Sequence, residues 1–240
     1  GNATTANATP IAAAAKLTGR TAGGFSFGIL DAVTQQVGGA GGQTVEPQTN
    51  YAVLKLDQEL RAGQTVFSVI GTGVNRSLDA LTAPYLHESA YALGLGFRNR
   101  FADRNYEVSG QLALSRVAGS AEVIERTQLS PVQYYQRPGD DLTVDPTLTS
   151  LSGHAEQLKV GKYNGGITRF ETSIVRQSAG FDVNDLGFLR RADLLNWSTW
   201  SALSWREQRW IYRWAQVNAN HWMSANTSGE KPNSSDTLSR

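Results

Sequence analysis

The sequence predicts an all-β protein, an antiparallel up-and-down transmembrane β-barrel, with about ten strands in this chain and further strands in a larger barrel. Three observations lead to this fold class. Bulky apolar residues alternate with small or polar ones, most alternating segments are about ten to thirteen residues long, and the connections alternate between short and long. Strands of globular proteins centre on roughly 5–6 residues, whereas a strand that crosses an outer membrane needs about 9–11.

The strands follow from the alternation and from the Gly, Asn, Asp and Ser residues that bound each segment. Two of them are less regular: the fourth has bulky residues on both parities, and the tenth has amide residues on the same parity as its tryptophans. The predicted bounds are 12–20, 24–34, 49–60, 64–75, 89–101, 105–117, 148–161, 166–178, 197–206 and 209–222.

Short connections such as "RAGQ" and "ADRN" follow the odd strands, and long ones follow the even strands. In a meander of hairpins all odd connections lie at one end of the sheet, so one end has short turns and the other has long loops. Outer-membrane barrels have this asymmetry, with short periplasmic turns and longer extracellular loops. The long connection from Ala118 to Thr147 is predicted to contain a helix with Ser120 as its N-cap, Glu122 in its first turn and Pro131 as its stop.

The alternation is clearest in the hairpin of residues 88–116. One parity carries bulky apolar side chains, and the other carries small or polar residues. A half-exposed sheet of a soluble protein also alternates in this way, so the pattern alone leaves a protein core and lipid both open. With the strand length and the loop asymmetry, we predict a lipid-facing row of eight residues: Tyr91, Leu93, Leu95, Phe97, Tyr106, Val108, Leu112 and Leu114.

Aromatic residues lie near the ends of the predicted strands. The ninth strand contains Trp197, Trp200 and Trp205, and the tenth contains Trp210 and Trp222. Aromatic girdles at both membrane interfaces are typical of a barrel. Charged residues on the opposite parity suit a polar lumen, and they also suit a solvated surface.

The domain organisation is a linker or loop over residues 1–10, barrel strands and loops over 11–222, and a loop or tail over 223–240. The longest purely apolar run has about five residues, and a membrane-spanning helix needs roughly 20. No such helix is therefore predicted.

Several stretches resemble an uncharacterised bacterial outer-membrane family, described as a domain of unknown function and often found behind a module similar to the ninth family of carbohydrate-binding modules. They include "AAKLTGRTAGGFSFGILDAVT", "QYYQRPG" and "GFDVNDLGFLRRAD". The resemblance runs from Pro10 to Trp222, and its most specific part is Val183 to Asp193. It implies an outer-membrane location and carries over no catalytic residue. Since the chain ends "SSDTLSR" without a terminal aromatic residue, we expect it to be part of a larger polypeptide.

Composition narrows the chemistry. The net charge is +1, so there is no electrostatic case for nucleic acid, and the absence of cysteine excludes disulfides and thiolate metal sites. His87, His154 and His221 lack metal-ligand spacing, and no G-x-S-x-G sequence is present. We therefore predict no catalytic residue, no cofactor and no metal, and a protein that is not an enzyme.

The segment "NDLGFLRRAD" allows two interpretations. It could be a plug or docking loop, with Asp185, Arg190, Arg191 and Asp193 pairing inside the barrel mouth. It could instead be a shaped turn with solvated arginines.

The predicted function is an outer-membrane, porin-like β-barrel segment that serves as a membrane anchor or pore for a surface function such as glycan binding or uptake. Its expected partners are outer-membrane lipid, the barrel assembly machinery and surface glycans. The alternative is a soluble or periplasmic all-β carbohydrate-binding module whose exposed tryptophans stack on sugars. An enzyme is the third hypothesis, and the residue inventory favours it least.

Overall fold

The computed structural model describes residues 9–39, 41–137, 142–207, 213–229 and 233–239. These residues form an antiparallel, all-β fold with one helix. The elements are β1 (Ile11–Arg20), β2 (Phe25–Thr34), β3 (Val37–Gly38), β4 (Thr44–Glu46), β5 (Thr49–Leu60), β6 (Thr65–Arg76), β7 (Ser89–Phe101), β8 (Tyr106–Ala118), α1 (Ala121–Leu129), β9 (Ser150–Lys162), β10 (Thr168–Gln177), β11 (Leu194–Trp205), β12 (Ala215–Ala225) and β13 (Asn233–Ser239).

Eleven of the strands form a single sheet in chain order, β1-β2-β5-β6-β7-β8-β9-β10-β11-β12-β13. Each strand pairs antiparallel with the next, which confirms the predicted up-and-down arrangement. Within the described residues, β1 pairs with β2 alone and β13 with β12 alone, so the sheet has two edges. The pair β3 and β4 forms a small separate hairpin inside the long connection after β2.

The first eight predicted strands agree with the structure to within two residues at each end. The ninth was predicted to begin at residue 197 and begins three residues earlier, at Leu194. The prediction of the tenth strand was wrong at its start: β12 begins at Ala215, and residues 208–212 lie outside the described part of the chain.

The predicted loop or tail over 223–240 is also corrected, because β12 continues to Ala225 and β13 pairs with it. Residues 1–8 of the predicted linker lie outside the described residues. The sequence of β13, "NSSDTLS", has no bulky alternation. Its strand conformation comes from backbone pairing with a neighbour, which side-chain pattern does not reveal.

The predicted helix is confirmed. The hydroxyl of Ser120 accepts a hydrogen bond from the backbone N–H of Val123, so it is the N-cap, and the helix ends at Leu129 ahead of Pro131. No helix among the described residues is long and apolar enough to span a membrane.

The register of the sheet divides its side chains between two faces. The apolar face contains Tyr91, Leu93, Leu95 and Phe97 of β7. It continues across the sheet through the residues that pair with this row, from each strand to the next. The capped face contains the intervening residues of the same strands, such as Ala90 of β7. It is so named because two long connections lie over it. The side chains on the apolar face are the more exposed ones: Leu93 is 41% exposed and Leu95 is 44% exposed.

Candidate functional site

All eight residues predicted to face lipid lie on the apolar face. Leu93 pairs with Leu114, Leu95 with Leu112, and Phe101 with Tyr106, so the rows from β7 and β8 are continuous across the two strands. Tyr106 and Val108 are half-buried, and the other six are exposed. The structure thus brings these residues together on one surface, and its contact with lipid remains a prediction.

An aromatic band follows the short-turn end of the apolar face. The ring centroids of Phe67 and Phe97 are 5.3 Å apart across β6 and β7, and those of Phe101 and Tyr106 are 5.5 Å apart across β7 and β8. Such distances are typical of favourable aromatic pairs.

The tryptophans divide between the two faces. Trp197 and Trp205 lie on the apolar face near opposite ends of β11, whereas Trp200 and Trp222 lie on the capped face, where they pair with Asn220 and Ser198. The predicted grouping of these tryptophans as one set of interfacial residues therefore does not describe Trp200 and Trp222.

The long-loop end of the apolar face is polar. The amide of Asn50 donates to Asp31, and a guanidinium nitrogen of Arg176 lies 3.8 Å from a carboxylate oxygen of Glu156. Arg116 is exposed opposite Tyr91. From β1 to β8 the apolar face carries only two charged strand residues, Asp31 and Arg116, and both are at this end.

The capped face carries cross-strand polar pairs. The hydroxyl of Ser68 donates to Asp57 at 2.6 Å, and Nε of Arg100 lies 2.7 Å from Oε2 of Glu107. Further along the sheet, Lys159 lies 3.7 Å from Glu171. Two of these contacts are ion pairs between adjacent strands, Arg100 with Glu107 and Lys159 with Glu171.

Two long connections fold back over the capped face and form what we call the cap: α1 with residues 130–137, and residues 178–193. One cluster of buried apolar residues joins α1 to the sheet, and another joins the second segment to β8 and β9. The first contains Val74, Ala90, Val117, Val123, Ile124 and Leu151, and the second contains Phe181, Leu189 and Ala192 against Ala113 and Ala155.

A close backbone contact seats the cap on β9. A Cβ atom added to Gly153 would lie 2.1 Å from the backbone nitrogen of Phe181, and one added to Gly180 would lie 2.3 Å from the carbonyl oxygen of Ser152. Only glycine allows the two backbones to approach in this way. The amide N–H of Asp182 also donates to the hydroxyl of Ser115 on β8.

Asp185 is a nearly buried carboxylate of the cap that binds two cationic or ionisable side chains. Its two oxygens lie 2.5 Å from Nη1 of Arg76 and 2.7 Å from Nδ1 of His87, and all three side chains are nearly buried. The other ring nitrogen of His87 lies 2.8 Å from the hydroxyl of Thr127 on α1. Burial alone would raise the pKa of Asp185, but the hydrogen bonds and charges of His87 and Arg76 outweigh it and lower that pKa.

Asp193 closes the other end of the same cap segment. It accepts a hydrogen bond from Nη1 of Arg137 at 2.8 Å and from the backbone N–H of Thr227 at 2.9 Å. Burial opposes ionisation, yet these partners together lower the pKa of the Asp193 carboxyl. The third carboxylate, Asp182, accepts a hydrogen bond from the amide of Gln133, which is fully buried.

The four residues of the plug hypothesis fall into two groups. Asp185 and Asp193 bind partners from distant parts of the chain. Arg190 is exposed, and neither Arg190 nor Arg191 forms an ion pair within the described ranges. Sequence reasoning missed Arg76, His87 and Arg137 as the partners. No local signal could have found them, because Arg76 and Asp185 are 109 residues apart in the chain.

The arrangement of Thr127, His87 and Asp185 has the order of a hydroxyl–imidazole–carboxylate chain. The Thr127 hydroxyl, however, donates to the carbonyl of Val123 within the helix, and it is buried. The chain of hydrogen bonds therefore joins three loops. Among the described residues, no three metal-ligating side chains converge.

The fold and these contacts define a class: an all-β protein whose open antiparallel meander exposes one apolar face and covers the other with its long loops. Over residues 2–237 the chain matches the model of the family described as Domain of unknown function (DUF5916), and it belongs to that family. No curated protein and no solved structure matches it.

Proposed function

We propose that the chain is a segment of a bacterial outer-membrane β-barrel whose apolar face contacts lipid and whose capped face borders the lumen. The observation behind this proposal is that the bulky apolar residues lie on the exposed face of the sheet. In β7 and β8 the buried positions are Ala90, Glu107, Ser115 and Val117, all on the capped face. A sheet packed on a core in water buries its bulky apolar residues instead.

The dimensions of the apolar face support the proposal that it spans a membrane. The row from Tyr91 to Phe101 is about 33 Å long at about 3.3 Å per residue. Tilted by roughly 40°, it spans about 25 Å, which is the height of the apolar band of outer-membrane barrels. The row is interrupted by Asn99, which accepts a hydrogen bond from Thr65 near the turn end.

The cap favours an anchor over an open pore. Two buried apolar clusters, the ion pair of Asp185 with Arg76 and the hydrogen bond from the backbone N–H of Asp182 to Ser115 hold it against the capped face. Opening the lumen at this end would expose those clusters and break those contacts. Surface functions such as glycan capture would then depend on the outer surfaces of the long loops.

Closure of the barrel requires partners for both edge strands, since unpaired backbone groups are not tolerated in hydrocarbon. The edge at β1 and the edge at β13 would pair with each other or with further strands.

The test compares two adjacent residues in the middle of β8. Leu112 is on the apolar face and Gln111 is on the capped face, and both are exposed. Near a bilayer midplane, Leu112→Arg should lower the free energy of unfolding by roughly 2–4 kcal/mol, while Gln111→Arg should change it little. Urea titration in phospholipid vesicles, followed by tryptophan fluorescence, measures both.

Equal penalties for the two variants would contradict the assignment of the faces. A chain that stays folded, monomeric and soluble in buffer without detergent would contradict the membrane proposal itself.

One observation favours the second candidate, a soluble or periplasmic carbohydrate-binding module. Trp222 is 38% exposed on the capped face, where Ser198 is its cross-strand partner and Asn220 is the next residue of β12 on the same face. Aromatic and amide groups suit a neutral sugar. Glycan binding in plain buffer that is lost in Trp222→Ala would favour this function.

A further inference from the structure

The short-turn end of the sheet carries cations without carboxylate partners. Arg61 donates to the hydroxyl of Thr65 and to the side-chain oxygen of Asn99. Arg104 reaches the carbonyl of Ala62 in the adjacent turn. All the acceptors are neutral oxygens. Within the described residues, neither arginine forms an ion pair, so each guanidinium keeps a full charge and spare N–H donors.

Lys162 extends this cationic group to the next hairpin. Its Nζ donates to the hydroxyl of Thr168 at 2.6 Å and lies 5.8 Å from the ring centroid of Tyr106. It too lacks a carboxylate within the described ranges. Arg61, Arg104 and Lys162 therefore form a row of positive charge across three neighbouring hairpins, which we call the basic rim.

The carboxylates near this end do not neutralise the basic rim. Glu59 is bound to Arg20 at 2.9 Å, and Glu107 is bound to Arg100 at 2.7 Å, both on the capped face. Glu59 and Glu107 thus lie on the capped face with their own partners, while the basic rim lies beside the apolar face. Asp103 is the single acid in the turns at residues 21–24, 61–64, 102–105 and 163–167.

The opposite end of the sheet has the opposite charge. By sequence, the long connections at 35–48, 77–88, 119–149 and 178–193 contain eleven acidic residues and four arginines. The charge separation therefore follows the strand axis. It gives the two ends of the apolar face different affinities for anions.

We propose that the basic rim binds the headgroup phosphates of anionic phospholipids. The proposal rests on the lipid-facing role of the apolar face. It places the short-turn end of the sheet at the headgroups of one phospholipid leaflet. The stacked rings of Phe101 and Tyr106 lie beside the rim and would occupy the interface, while the guanidinium and ammonium groups donate to phosphate oxygens.

The experiment measures lipid retention by native mass spectrometry. The full chain, folded in mild detergent, is mixed with phosphatidylglycerol or phosphatidylcholine, and the protein-bound lipids are counted after removal of the micelle. The wild type should retain phosphatidylglycerol preferentially. Each rim charge removed in Arg61→Gln, Arg104→Gln and Lys162→Gln should lower that preference roughly fivefold.

Arg190→Gln is the matched control, because Arg190 is also an exposed arginine without an ion pair in the described residues but lies at the long-loop end. It should leave the preference unchanged. Circular dichroism of each variant shows that the strands are retained. Excess inorganic phosphate should not displace the lipid.

Three results would overturn the assignment: equal retention of the two lipids, an equal loss in Arg190→Gln, or displacement by free phosphate, which would indicate a phosphate site instead. Failure of the membrane proposal looks different, because the chain would then bind neither lipid and would remain soluble without detergent.

Discussion

The two faces of this sheet come from the same strands and have opposite relations to their surroundings. The capped face has small and polar residues, paired charges and the two buried apolar clusters beneath the cap. The apolar face has leucine and aromatic side chains that are exposed. The buried apolar clusters therefore lie between the sheet and its own loops, while the bulky side chains of the apolar face stay exposed in the described residues.

The largest expected effect is a loss of stability when the Asp185 carboxylate is neutralised. Asp185→Asn removes the charge that compensates Arg76 and bonds His87 beneath the cap. Loss of one partner of a buried ion pair costs about 3–5 kcal/mol, so the free energy of unfolding should fall by about that amount in urea titrations. Arg190→Gln in the same segment, where the side chain is exposed, should change it by less than about 0.5 kcal/mol. Equal effects would mean that Asp185 does not hold the cap.

A smaller effect is expected from one methyl group placed under the cap. Gly153→Ala puts a Cβ atom against the backbone of Phe181 and should destabilise the fold by about 1–3 kcal/mol. Gly71→Ala on the apolar face meets no atom within 4 Å and is the control. The same unfolding titration compares them. If Gly153→Ala is tolerated as well as Gly71→Ala, the cap does not sit tightly on β9.

The smallest expected effect is a pH dependence confined to the cap. The pKa values of Asp185 and Asp193 are lowered in the folded protein, so their stabilisation is present above the unfolded value of about 3.9. It should be lost as the pH falls through the lower folded pKa. Limited proteolysis of the 178–193 segment should therefore be constant near neutral pH and faster below about pH 4. Asp185→Asn should weaken that acid sensitivity, and cleavage that accelerates equally in the short turns would count against it.

Much of the strand layout could be predicted from local patterns. The alternation from Tyr91 to Phe97 and the turn residues at 102–105 specify a hairpin without any distant contact, and the structure has that hairpin at the predicted residues. The prediction failed where local pattern and pairing disagree. Arg213 and Trp214 continue the alternating pattern but are not in a strand, whereas the polar segment 233–239 is a strand because β12 supplies its hydrogen-bond partners.

The candidate site was less accessible to prediction. Asp185 and Asp193 were recognised as charged residues in an unusual segment, but their partners are distant in the chain: Arg76 ends β6, and Arg137 lies in the connection after α1. The assignment of Trp197 and Trp200 to opposite faces needs only the parity of their positions in the sequence. The residues around each tryptophan could not be predicted, because they depend on the pairing of β11 with β10 and β12.

Most of the strands, the helix N-cap at Ser120 and the separation of bulky from small residues follow from the sequence alone, because these depend on alternation and on interactions within a few residues. The folding of the long loops onto the small-residue face is evident only in the three-dimensional structure. That folding depends on contacts between residues far apart in the chain, such as Gly153 with Phe181 and Arg76 with Asp185, and such contacts leave no periodic trace in the sequence.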